Sequence, residues 1–160
     1  MMLPFHIVCP DEGFTTKWCL TIIGNPKRRI NTTYDVIDFY CVDPSCDCQK
    51  VTLSIVKNNT IKASVSYGWK PAAFYRNWGV DQEMADLLTH GFLDPYAPQS
   101  KDAEAIFHHV SYLLTQPEGP QFFKKRYALF KKTLNGGDPI PEKKKRKSSV
   151  IPFPSRHPSF

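Results

Sequence analysis

The chain has 160 residues and a formal net charge of +6, and 41% of it is hydrophobic and 13% aromatic. This is enough for one domain with a sizeable core. No run approaches the ~18 apolar residues of a spanning helix, and the first ten residues lack the basic and apolar regions of a secretory signal. A soluble, cytoplasmic protein without membrane insertion is therefore expected. The basic character is confined to the end: residues 1–120 hold 10 Lys and Arg against 13 Asp and Glu, residues 121–135 hold 5 against none, and residues 136–160 hold 6 against 2. That distribution excludes a uniformly basic nucleic-acid binder.

In chain order, residues 1–16 read as an irregular arm broken by Pro4, Pro10 and Gly13. Residues 17–23 alternate as a strand, and the basic loop Lys27-Arg28-Arg29 follows. A second strand covers 34–40, with Asp35 and Asp38 expected on one edge. Residues 50–56 and 61–67 alternate around Asn58-Asn59, the signature of a β-hairpin. Together these runs predict an antiparallel sheet of about four strands. From Gly68 the period becomes helical. Pro71 opens a short helix with Phe74 and Trp78 that stops at Gly79; Asp81 caps a second, which stops at Gly91. Ser100 caps a third helix, whose Ala103, Ile106, Phe107, Val110, Leu113 and Leu114 share one face. The fourth runs from about Pro120 to Leu134 with the stripe Phe123, Tyr127, Phe130 and Leu134. The fold class is α+β: a sheet of about four strands followed by about four helices, in one domain over residues 1–135. Residues 136–160, with five prolines and a Lys/Arg block, should form a disordered basic tail.

The densest chemical signal is Cys41-Val42-Asp43-Pro44-Ser45-Cys46-Asp47-Cys48, three thiols within eight residues between two strands. Pro44 and Ser45 supply a turn that Asp43 can close with a side-chain hydrogen bond. Thiolates gathered in one turn repel unless a soft cation, protons or a disulfide neutralises them, and zinc suits such ligands best. The five cysteines are an odd number with three clustered, which favours metal in a reducing compartment over a disulfide framework. Cys41, Cys46 and Cys48 are therefore expected to be ligands of a structural zinc. A fourth ligand is needed; Cys9 in the arm ranks first and His6 second. Cys19 reads as a buried mid-strand thiol, and His108 as solvated.

Other chemistries fit less well. Asp47 between Cys46 and Cys48 would raise thiolate pKa values, a poor arrangement for a redox nucleophile. Zinc deaminases need His-x-Glu and Pro-Cys-x-x-Cys, which are absent, and no phosphate-binding glycine loop is present. Asp35, Asp38, Asp43 and Asp47 read as turn formers and edge charges rather than a hydrolytic site. On the last helix, Lys124, Lys125, Lys131 and Lys132 lie away from Phe123 and Phe130. With Lys143, Lys144, Lys145, Arg146 and Lys147 they could contact phosphates.

Residues 39–51, Phe-Tyr-Cys-Val-Asp-Pro-Ser-Cys-Asp-Cys-Gln-Lys-Val, resemble the Tyr-Cys-x-Asp/Asn-Pro-x-Cys-Asp-Cys-x-x-Val signature of a bacterial family without an assigned activity. The resemblance continues through residues 61–69, 74–78, 93–100 and 126–131, and so spans roughly 34–132. It implies the fold and the metal site rather than an activity. Some members end in the small zinc motif of the SecA translocation ATPase C-terminus. No cysteine follows Cys48 here, so that second zinc is not implied. The expectation is a non-enzymatic zinc-binding adaptor that contacts nucleic acid or a nucleoprotein assembly. A protein-interaction module, docking through its sheet or through Phe74, Tyr75 and Trp78, is the alternative. A metal-dependent or thiol-redox enzyme comes third.

Overall fold

The alternating first half of the chain builds an antiparallel sheet, and the second half supplies most of the helices that cover it. The computed structural model describes residues 1–15, 18–23 and 31–136. Its elements in order are β1 (Met2–Pro4), α1 (Phe5–Val8), α2 (Pro10–Thr15), β2 (Trp18–Ile23), β3 (Asn31–Cys41), β4 (Lys50–Lys57) and β5 (Thr60–Gly68). There follow α3 (Ala72–Asn77), α4 (Gln82–His90), β6 (Phe92–Leu93), α5 (Ala103–Thr115) and α6 (Glu118–Leu134). The expected tail, with Lys143 to Lys147, and the loop Lys27-Arg28-Arg29 lie outside the described residues.

The six strands pair in the order β1-β3-β4-β5-β6, and β2 lies beside β1 along the same edge of β3. Register sets the faces. Val36 pairs with Ile55 and Ile55 with Ala63; Asp38 pairs with Leu53 and Leu53 with Val65. These residues, with Leu20, Tyr40, Val51 and Tyr67, are buried on one face, as period-2 alternation requires. Ile106, Val110 and Leu114 of α5 and Phe123, Tyr127 and Phe130 of α6 complete the same core. The hairpin between β4 and β5 turns at Asn58 and Asn59, whose φ values of 52° and 57° are the left-handed pair that a type I′ turn demands. Asp81 caps α4 as expected, accepting from Met84 N at 2.8 Å. Ser100 stands outside α5; its hydroxyl accepts from the backbone N–H of Asp102 at 3.2 Å.

Three expectations need correction. Residues 1–15 are not an irregular arm but hold β1, α1 and α2. Phe5 is fully buried, edge-on to Tyr40 with ring centroids 6.2 Å apart, and that tertiary burial outweighs the local breakers. Cys19 is exposed rather than buried, because Leu20 is the residue of β2 that turns inward; Cys19 Sγ donates to Asp35 Oδ1 at 3.7 Å. Asp35 and Asp38 are three apart and so point to opposite faces. Asp38 is buried and takes a two-pronged ion pair from Arg126 of α6, Nε to Oδ2 at 2.5 Å and Nη2 to Oδ1 at 2.8 Å. Tyr40 donates to the same carboxylate at 2.8 Å, and the guanidinium lies 3.6 Å from the Phe5 ring centroid.

Candidate metal centre

The cysteine turn links the end of β3 to the start of β4. Cys41 is the last residue of β3, in register with Met2 of β1. Asp43 closes the turn as its sequence predicts: its Oδ1 accepts from Ser45 N at 2.9 Å and Ser45 Oγ at 2.7 Å, and its carbonyl accepts from Cys46 N at 3.1 Å. The outcome is chemical. The Sγ atoms of Cys41, Cys46 and Cys48 all lie within 4.8 Å of one another, and no other group of three or more metal-ligating side chains occurs among the described residues. Cys48 is buried, while Cys41 and Cys46 are half-buried.

Such a triad can hold a metal ion. Tetrahedral thiolates about 2.3 Å from a zinc ion are separated by about 3.8 Å. The three sulfurs reach that spacing by closing up by about 1 Å or less. The donor set is all sulfur, which suits a soft or borderline cation. The thiols differ in acidity. Burial, then hydrogen bonding to Cys41 and the charge of Cys48, pushes the Cys46 thiol up to about 11. Burial acts upward on Cys41 as well, but a hydrogen bond from the Asp43 backbone, another from the Cys46 thiol and the charge of Lys131 outweigh it and bring Cys41 below the ordinary thiol value.

The turn is gripped from two sides. From α6, Lys131 Nζ donates to the Asp43 carbonyl at 2.6 Å, and Tyr127 Oη lies 3.3 Å from the Cys46 carbonyl and 3.4 Å from Asp47 Oδ1. Beyond the cysteines, Gln49 has φ 49°, a left-handed conformation uncommon for a side-chain-bearing residue. Three partners hold it there: Tyr75 Oη donates to its carbonyl at 2.8 Å, Trp69 Nε1 to its Oε1 at 2.7 Å, and its own Nε2 donates to Asp47 Oδ1. Gly68 admits the Tyr75 ring; a Cβ there would sit 2.1 Å from the phenol oxygen. Burial raises both phenols, Tyr75 to about 12 and Tyr127 further, so both remain donors at neutral pH.

Cys9, expected as the fourth ligand, is not brought into this group. It caps the C-terminal end of α1, is 7% exposed, and donates from Sγ to Thr133 Oγ1 of α6 at 3.5 Å. His6 does not join the group either. Of the lysines expected to face away from the core, Lys124, Lys125 and Lys132 are exposed. Lys131 is half-buried and committed to the turn, because a residue four beyond Tyr127 shares its side of the helix. In α3, Tyr75 is buried behind the cysteine turn, leaving Phe74 and Trp78, with Trp78 48% exposed. Gln49, Trp69, Tyr75, Tyr127 and Lys131 are the residues that sequence reading did not attach to the site. Only Gln49 adjoins the cysteines in sequence; the others reach the turn through the tertiary placement of α6, α3 and the end of β5, which no local signal marks.

No family model, curated protein or solved structure matches the chain.

Proposed function

We propose that this is a non-enzymatic zinc-binding domain that acts as an adaptor, contacting nucleic acid or a nucleoprotein assembly through α6 and the basic residues beyond it. The observation that carries the reading is the convergence of Cys41, Cys46 and Cys48 within 4.8 Å in a turn that other residues hold in shape. When bound, zinc would cross-link the end of β3 to the start of β4 through thiolates and supply structural rigidity. On this reading the chain is also a relative of the bacterial family whose cysteine signature residues 40–51 resemble.

The adaptor half of the reading is supported by charge. Lys124, Lys125 and Lys132 are exposed on one side of α6, within about a third of a turn, and Lys143, Lys144, Lys145, Arg146 and Lys147 follow in sequence. Anisotropy titration of the intact chain with mixed DNA and RNA across salt tests it. Log affinity should fall with log salt by about 0.9 for each phosphate neutralised on duplex DNA, or about 0.7 on single strands. Reversing Lys124, Lys125 and Lys132 together should make the duplex slope shallower by about 2–3. Absence of binding to either nucleic acid at low salt would refute the adaptor reading and leave a protein-interaction module.

A further inference from the structure

Away from the cysteine turn, α4, β6 and α5 enclose a groove of about 370 Å³ lined by Met84, Leu87, Phe92, Leu93, Phe107 and Glu104. All but Glu104 are apolar, and Leu87 is 40% exposed. The face around this groove is acidic. Residues 81–104 hold 6 Asp and Glu against Lys101 alone. Counting Lys70 and Arg76 on the adjoining stretch, residues 70–116 still hold 6 against 3. Two of the acids edge the groove: Glu104 lines it, and Glu83 precedes Leu87 by four residues and so shares its side of α4. Asp81, Asp86 and Asp94 already accept hydrogen bonds from Met84 N, Gln82 Nε2 and Ser66 Oγ, and Arg76 donates to Gln82 Oε1.

We infer that this groove is a docking site for the chain's own residues 143–153, with Val150, Ile151 and Phe153 in the groove and the Lys143–Lys147 block against its acidic rim. Three observations select that occupant. An acidic rim around an apolar floor calls for a basic segment with apolar residues beside it, and residues 143–153 run Lys-Lys-Lys-Arg-Lys-Ser-Ser-Val-Ile-Pro-Phe. The signs match on the larger scale as well: residues 136–160 hold 6 Lys and Arg against 2 Asp and Glu, opposite to the groove face. The reach is sufficient. The Asp38–Arg126 pair anchors α6 over β3, and β6 lies three strands away, a lateral step of about 14 Å. The 14 residues from Gly136 to Val150 extend to about 46 Å. Burial of the apolar residues would supply most of the affinity, since exposed ion pairs contribute little and are screened by salt. The inference stands apart from the nucleic-acid reading, although docking and phosphate contact would compete for the same five cations.

The test uses the full chain labelled with ¹³C at the methionine methyls. Of Met1, Met2 and Met84, only Met84 lines the groove. Its methyl should show nuclear Overhauser contacts to Ile151 and Phe153 that disappear in the full-length double variant Ile151→Ser with Phe153→Ser, and its resonance should move in that variant. Rising salt and Glu104→Lys should each move the wild-type resonance toward the variant's position. A synthetic peptide of residues 143–153 added to the double variant should move it back, saturably. A Met84 resonance that coincides in wild type and double variant at low salt, or that ignores the peptide, would overturn the inference. So would a wild-type resonance that reaches the variant's position on dilution, because the groove would then hold the segment of a second copy.

Discussion

Lys131, in the last turn of α6, donates from its ammonium to the backbone carbonyl of Asp43 at 2.6 Å, joining residues 88 apart in sequence. Tyr127, one turn earlier, reaches the Cys46 carbonyl. The helix that carries the basic face is thus also the helix that shapes the thiol cluster. Groups that orient a metal's ligands from outside commonly matter nearly as much as the ligands.

Lys131→Met and Tyr127→Phe should therefore each weaken zinc affinity by about 10–100-fold. The thermal transition of the metal-free protein should move little, because each change keeps the apolar part of its side chain. Competition against a chromophoric chelator measures the affinity. Wild-type affinity in both variants would mean that the turn holds its shape without α6.

The buried pair of Asp38 and Arg126 fixes where α6 lies on β3. Removing one partner strands a charge in the core, so Arg126→Met or Asp38→Asn should cost about 3–5 kcal/mol, read as a lower urea midpoint. The double variant Asp38→Leu with Arg126→Met should recover much of that loss. A double variant as unstable as the sum of the singles would show that the site cannot accept apolar replacements.

Stability should also fall in alkali. Burial raises the phenols of Tyr40, Tyr75 and Tyr127 above their unfolded value of about 10, Tyr75 to about 12. Between those values the unfolded chain loses protons that the folded chain retains. The stabilisation is therefore complete below about pH 10 and disappears as pH rises through the folded pKa values. Urea midpoints measured from pH 9 to 12 should decline, and Tyr75→Phe should flatten the decline. Midpoints independent of pH across that range would contradict the burial of these rings.

The sheet, the hairpin and the four later helices are legible because each has a strong period and punctuation that agrees with it, such as the Asn58-Asn59 turn and the Asp81 cap. β1 and β6, with three and two residues, are too short to show any period. They exist because β3 and β5 offer them edges. The cysteine triad is readable because its three members are local in sequence. What holds it is not: Trp69, Tyr75, Tyr127 and Lys131 lie 20 to 88 residues from their partners in the turn. The buried ion pair does leave a trace in the sequence. Asp38 shares parity with Val36 and Tyr40, and Arg126 falls on the helical stripe of Phe123 and Phe130. Opposite charges at core positions of two elements must find each other, because neither can be buried alone.

Elemental analysis of the freshly purified chain, paired with thiol titration of the folded protein, tests the central claim most directly. The account predicts about one zinc per chain, lost in Cys41→Ser, Cys46→Ser and Cys48→Ser and retained in Cys9→Ala and Cys19→Ala, with three of the five thiols protected until a chelator is added. A metal-free wild-type protein that also fails to take up added Zn²⁺, with Cys41, Cys46 and Cys48 all reacting freely while folded, would contradict it.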